Sequence, residues 1–145
     1  MRIALVATGG FDRSGRERVI PALAWFIEQL ALRHDVVVYV LRYHSEPTRY
    51  ALRGATIVDL GSPRGIIRQW QALSGAWTAD GPFDVVHGYW GHPAGLLAAL
   101  LGRRFGVPSV VTCDSGEFAR VPSIDYGQQG RLASRAAVFA ATRLA

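Results

Sequence analysis

The chain contains no lysine, so all 16 of its basic side chains are arginine, against 11 aspartates and glutamates and a formal net charge of +5. Such a balance favours anionic ligands or surfaces. The arginines are scattered, and no aromatic stripe interleaves with them, so nucleic acid is not an expected partner. A single cysteine, Cys113, excludes an internal disulfide and makes a reducing cytoplasm the expected setting. No apolar run reaches the roughly 18 residues a membrane span needs, and the opening apolar run is too short for a signal peptide. The expected location is therefore cytoplasmic, with an anionic membrane surface as the other candidate contact. Charged residues are also scarce, at 19%, while half of the chain is apolar. That excludes a disordered chain and fits a buried α/β sheet. With 145 residues, one domain is expected rather than two.

Several signatures are missing as well. The glycines of the first turn stand at 9, 10 and 15, out of register for the G-x-G-x-x-G dinucleotide fingerprint, and no Gly-Lys-Ser/Thr follows for a P-loop. Arg42 stands where an NAD site would carry an acidic ribose clamp. His87, His92 and Cys113 match no zinc spacing, so neither a metal nor a cofactor is expected.

What the sequence does hold is an alternation of strands and helices. Residues 3–7, 35–41, 56–60, 83–87 and 109–113 are short apolar or β-branched runs, as expected of strands buried on both faces of a parallel sheet. Between them, residues 65–77 carry Ile66, Trp70, Leu73 and Trp77 at helical spacing, and Pro93 suits the first turn of a helix running to Arg104. Ser14 and Glu17 form a capping-box pattern for the first helix; Pro21 conflicts with a start at Ser14 and would suit a start nearer Arg18. Residues 42–54 are polar, contain Pro47 and are expected to form a loop. The fold expected is a Rossmann-like, doubly wound parallel sheet. The last helix, with Ala136, Phe139, Ala140 and Leu144 on one face and no strand after it, predicts a chain truncated at its C-terminus.

Ligands on such sheets bind at the carboxyl ends of the strands, which selects the candidate residues. Gly9, Gly10, Phe11, Arg13 and Gly15 lie in the first turn, where backbone amides and a helix N-terminus can meet a phosphate; the alternative is a tight turn without a ligand. His87 and Tyr89 follow the fourth strand, with His87 either functional or a hydrogen-bonded structural residue. Asp114 and Glu117 follow the fifth, able to orient sugar hydroxyls or move protons, or else to cap and turn the chain. The helix of residues 65–77 either lies on an anionic membrane or packs on the sheet. Cys113 is expected to be a packed strand residue.

The order of these pieces resembles glycosyltransferase family 4, a group of retaining enzymes of the GT-B fold. The first strand with Gly9-Gly10, the Asp35-Val36-Val37-Val38-Tyr39-Val40 strand, Asp84-Val85-Val86-His87 followed by Gly95-Leu96-Leu97-Ala98-Ala99, and Gly106-Val107-Pro108-Ser109-Val110-Val111-Thr112 each resemble a segment of that family. Gly116-Glu117-Phe118 with Pro122, Ile124, Tyr126 and Gly127 is similar to one subgroup's loop. The likeness covers essentially the whole chain. It implies an N-terminal, acceptor-binding domain spanning 1–145 of an enzyme that transfers a sugar, such as a hexose, from a nucleotide-sugar to a glycan or lipid acceptor with retention. It also implies that Gly9 and Gly10 approach the donor diphosphate, that no metal takes part, and that members often touch membranes. Donor binding would otherwise rest on a C-terminal domain with two glutamates eight positions apart. No such pair exists among Glu17, Glu28, Glu46 and Glu117, so this chain alone is expected to lack transfer activity. One departure stands out: the family commonly has Thr-x-His after the fifth strand, whereas this chain has Thr112-Cys113-Asp114, which gives the sugar-contacting position to Asp114. The rival expectations are a nucleotide-dependent oxidoreductase domain and a noncatalytic, membrane-docking or interaction module.

Overall fold

The computed structural model describes residues 1–145. Six strands, β1 (Arg2–Ala7), β2 (Asp35–Val40), β3 (Pro47–Leu52), β4 (Ala55–Leu60), β5 (Val85–Tyr89) and β6 (Ser109–Thr112), form one sheet in the order β3-β4-β2-β1-β5-β6. Helices α1 (Pro21–Ala31), α2 (Ile66–Asp80) and α3 (Leu96–Phe105) lie between strands, and α4 (Leu132–Leu144) follows the last one. All neighbouring strands run parallel except β3, which is antiparallel to β4. This is the expected Rossmann-like α/β architecture with one antiparallel edge added. No helix is long and apolar enough to cross a membrane.

Strand alternation divides the core into two halves. Ala4, Val6, Val37, Tyr39 and Leu41 point to one face, where Leu73 and Trp77 of α2 and Leu97, Ala98 and Leu101 of α3 cover them. Leu5, Ala7, Val36, Val38 and Val40 point to the other, under Leu23 and Ile27 of α1. Because both faces are covered, the central strands need to be apolar at every position. Each large aliphatic side chain buried there contributes about 1.5–3 kcal/mol. The helix of the tryptophans thus packs on the sheet through Leu73 and Trp77, leaving Ile67 exposed at its start.

Three expectations need correction. Residues 42–54 are not all loop, because β3 occupies part of them. It is an edge strand of alternating exposure with Pro47 at its first position, a place that costs no ladder bond. Its hairpin turn, Arg53-Gly54, has φ of 49° and 82°, the mirror-image geometry that matches strand twist. Helix α1 begins at Pro21, later than either expected start, since proline is accommodated at the first helical position. Strand β5 extends to Tyr89, two residues beyond the expected end at His87. Gly88, which resembles loop punctuation in the sequence, is an inward strand residue where α3 comes close.

A Cβ at Gly88 would lie 2.5 Å from Gly95 Cα and 2.9 Å from Ala98 Cβ, both on rigid structure. Gly88→Ala should therefore destabilise the protein by about 1–3 kcal/mol through overpacking. Gly75→Ala, on the exposed side of α2 with nothing within 4 Å of the added carbon, should instead be neutral or stabilising by up to about 1 kcal/mol. Urea midpoints of the two variants check both signs.

Candidate functional site

The parallel strands alone read β4-β2-β1-β5-β6, so the chain builds outward from β1 in one direction and then in the other. The crevice of such a sheet opens at the reversal, over the carboxyl ends of β1 and β5. The ends of β1, β5 and β6 lie side by side there, since β5 pairs with both neighbours.

Leaving β1, the backbone is held close. Thr8 O accepts the Arg42 amide at 2.9 Å, and a Cβ on Gly9 would stand 3.1 Å from Arg42 O. Gly10 has φ +90°, with Ile20 Cδ1 2.7 Å from the place of its missing Cβ, so no other residue fits without strain. Gly10 O accepts the Ile20 amide at 3.2 Å, which closes the intervening residues into an excursion and sets the start of α1 beside the turn. The expected capping box does not form. Ser14 Oγ accepts the amides of Arg16 and Glu17 within the excursion, at 3.2 and 3.1 Å, and no side chain caps α1. Phe11 is fully buried and Gly15 lies 3.0 Å, at its missing Cβ, from Leu52, so both anchor the loop from behind. Arg13 is tethered to Thr48 Oγ1 at 2.6 Å.

Asp12 accepts the Ser14 amide at 2.9 Å and the Tyr43 hydroxyl at 3.0 Å. Its carboxyl is held down at about 2, first by the Ser14 hydroxyl and then by the Ser14 amide, against an opposing effect of desolvation, with a smaller lowering contribution from Tyr43.

On the β5 side, His87 lies inside the strand rather than at its tip. Its Nε2 is 2.8 Å from Thr112 Oγ1, and its ring meets the edge of Phe26 at 5.6 Å. Burial pulls the imidazole below its ordinary pKa. Tyr89, at the tip, donates to Asp114 Oδ2 at 2.8 Å, and its hydroxyl is raised first by burial and then by that carboxylate. Asp114 is exposed. Glu117, by contrast, is buried: it accepts the Gly91 amide at 3.0 Å and the Ser115 amide at 2.8 Å, binding the loop after β6 to the chain leaving β5. The Cys113 thiol is pushed up first by burial and then by the charges of Glu117 and Asp114.

Sequence reasoning left three neighbours out of the site. Trp90 has φ 74° and ψ 145°, a region costly for any residue with a Cβ, and opens a single π-type turn, Gly91–Gly95, before α3. His92 in that turn has its imidazole pKa lowered by burial and by the nearby Arg42 guanidinium. Arg42 itself makes no ion pair; those in the chain are Arg2–Asp35, Arg49–Asp80 and Arg53–Glu28, and His44 is hydrogen-bonded to Asp59. Arg42 and His92 follow strands far apart in sequence, so only the fold lets the charge of one reach the other. No three His, Cys, Asp or Glu side chains gather in a way that could hold a metal ion. A surface hollow of about 490 Å³ lies elsewhere, between α4 and Phe118.

The family model described as a glycosyl transferase 4-like domain matches residues 19–145, from the end of the first loop through α4. The chain belongs to this family. No curated protein matches it. As a glycosyl transferase 4-like domain, it serves glycosyl transfer, with a sugar donor and an acceptor as its substrates in the general sense. The crevice over β1 and β5 is thus the candidate active site of the transferase domain.

Two outcomes follow for its supports. Glu117→Ala should cost about 2–3 kcal/mol by leaving two amides unpaired, and hydrogen exchange at Gly91 and Ser115 should speed up selectively. Asp12 binds its proton more weakly folded than unfolded. Its contribution is therefore complete above the ordinary aspartate range and is lost as the pH falls through about 2. A carboxyl-carbon NMR titration should place its midpoint there, and Ser14→Ala should raise it.

Proposed function

We propose that this domain is the acceptor-side half of a retaining hexosyltransferase that uses a nucleotide-sugar donor and a glycan or lipid acceptor. The observation that carries this reading is the bare Gly9-Gly10 backbone at the sheet's reversal, packed against Arg42, which makes no ion pair and whose charge lowers the His92 imidazole pKa. A diphosphate is the group such a setting suits. The glycines let it reach backbone amides, and the guanidinium gives a permanent charge in a geometry matched to phosphate oxygens. When a nucleotide-sugar bond breaks, negative charge grows on the departing diphosphate; a fixed cation at that point stabilises the transition state more than the ground state.

Asp114 would accept hydrogen bonds from hydroxyls of the transferred sugar, steadied by the Tyr89 hydroxyl that already points at it. Arg13 would face the acceptor. Phe11, Gly15, His87 and Glu117 would support these groups from beneath, holding the loops in place without touching a substrate. A second domain would bring the donor's base and complete the cleft.

Uridine diphosphate titrated into the labelled chain should shift the amides of Gly9, Gly10 and His92, and Arg42→Gln should weaken binding by about tenfold. Shifts confined to other surfaces would remove the crevice from the reading. Tight binding of a nicotinamide dinucleotide at the same amides would turn it towards an oxidoreductase.

A further inference from the structure

A second group of side chains flanks the Gly9-Gly10 turn on the side away from β5. Its centre is His44, just beyond β2. Asp59, at the end of β4 and 1% exposed, accepts His44 Nδ1 at 2.9 Å, the His44 amide at 3.1 Å and the Gly61 amide at 2.9 Å. Fixing Nδ1 in this way leaves Nε2 as the free ring nitrogen, and it has no hydrogen-bond partner in the chain. The rings of Tyr43 and Tyr50 stand edge-on to the imidazole, at 4.7 and 6.0 Å between centroids.

Each tyrosine carries a guanidinium on its face. Arg18 lies 4.8 Å from the Tyr43 centroid and Arg13 lies 5.2 Å from that of Tyr50. Neither arginine makes an ion pair. The tyrosine hydroxyls are turned the other way, towards Asp12 and the Phe11 carbonyl. The two carboxylates nearest the group, Asp12 and Asp59, are likewise spent on internal donors. Arg18 holds φ 47°, in the left-handed region, which is unusual for a residue other than glycine. A stacked guanidinium has lost much of its rotamer freedom before any ligand arrives, so less is lost on binding.

We infer that Arg13, Arg18 and His44 form a phosphate site for the acceptor substrate, beside the donor crevice. The site takes a phosphomonoester or phosphodiester group, with the guanidiniums donating to its oxygens and the His44 ring donating from Nε2 when it carries a proton on both nitrogens, Nδ1–H being held by Asp59. This rests on the acceptor-side reading above and adds the chemistry of the acceptor. The phosphate belongs either to a soluble sugar or polyol phosphate or to a lipid headgroup.

The test uses the full chain with glycerol phosphate as probe, unphosphorylated glycerol as control, and NMR signals of the arginine Nε–H groups and the His44 ring as readout. Glycerol phosphate should shift Arg13, Arg18 and His44, glycerol should not, and Arg13→Gln with Arg18→Gln should weaken binding at least about tenfold. His44→Gln, which keeps both arginines, should weaken it by a smaller factor. Arg42→Gln should impair uridine diphosphate and leave glycerol phosphate unaffected. Sedimentation with vesicles containing phosphatidic acid, against phosphatidylcholine alone, separates the sources. Loss of vesicle binding in the double arginine variant assigns a lipid; no vesicle binding by the unaltered chain assigns a soluble phosphate. Equal shifts from glycerol, or unchanged affinity in the double variant, would overturn the inference. If uridine diphosphate still binds at Gly9 and Gly10 while glycerol phosphate moves none of the three side chains, the phosphate site fails alone. If neither binds, the transferase reading of the crevice fails with it.

Discussion

The central strand β1 is enclosed on both faces and both edges, and the rest of the structure depends on that enclosure. Residues Ala4 to Ala7 are wholly buried, with β2 paired on one side and β5 on the other. A chain leaving such a strand can escape only over the carboxyl edge, and it must do so where Arg42 and Ile20 already press in. Two glycines solve this packing problem, and their solution leaves bare backbone at the one point where both halves of the sheet meet. The exit from β5 obeys the same rule, since Gly88, Gly91 and Gly95 let α3 and the loop after β6 come close. The floor of the crevice is therefore peptide backbone, and side-chain charge has to come from its rims.

On those rims the two signs of charge have different tasks. Asp12, Asp59 and Glu117 turn inward and accept backbone amides, which makes them braces for loops. Arg13, Arg18 and Arg42 turn outward, with no carboxylate partner. Burying a carboxylate is tolerable only where several donors meet it, whereas a guanidinium can rest on a tyrosine face and keep its fork in water. The net positive charge of the chain is thus expressed where an anionic substrate would arrive, although the arginines are scattered in sequence.

This also explains which features were legible in the sequence. Five strands and the Gly9-Gly10 turn declare themselves because burial on both faces writes a continuous apolar run and a sharp exit needs glycine. Strand β3 does not, because an edge strand with one wet face can carry Pro47, Arg49 and the unusual turn Arg53-Gly54. Ser14 and Glu17 misled because the same hydroxyl-to-amide bond that caps a helix also tightens a loop. His87 looked terminal because Gly88 reads as a break, although its role is close packing. Of the site, the strand-end positions Gly9, Gly10, Tyr89 and Asp114 could be found by topology alone. The effect of the Arg42 charge on His92, and the pairing of His44 with Asp59, could not, because each joins loops brought together only by the order of strands in the sheet.

Trp90 shows how the crevice keeps its shape against a local cost. Its backbone geometry is one that glycine adopts freely and that costs other residues about 1–3 kcal/mol. The conformation is held from both sides: the Trp90 amide donates to Thr112 O at 2.9 Å and its carbonyl accepts the Gly95 amide at 2.7 Å. Glycine would relieve the strain but would lose the indole, which stands edge-on to Tyr89 at 5.2 Å. Tyr89 in turn holds Asp114. The same bend that strains Trp90 opens the turn that carries His92, whose imidazole feels the charge of Arg42. A relaxed residue at this position would leave the carboxylate rim and the cationic rim of the crevice without their common support.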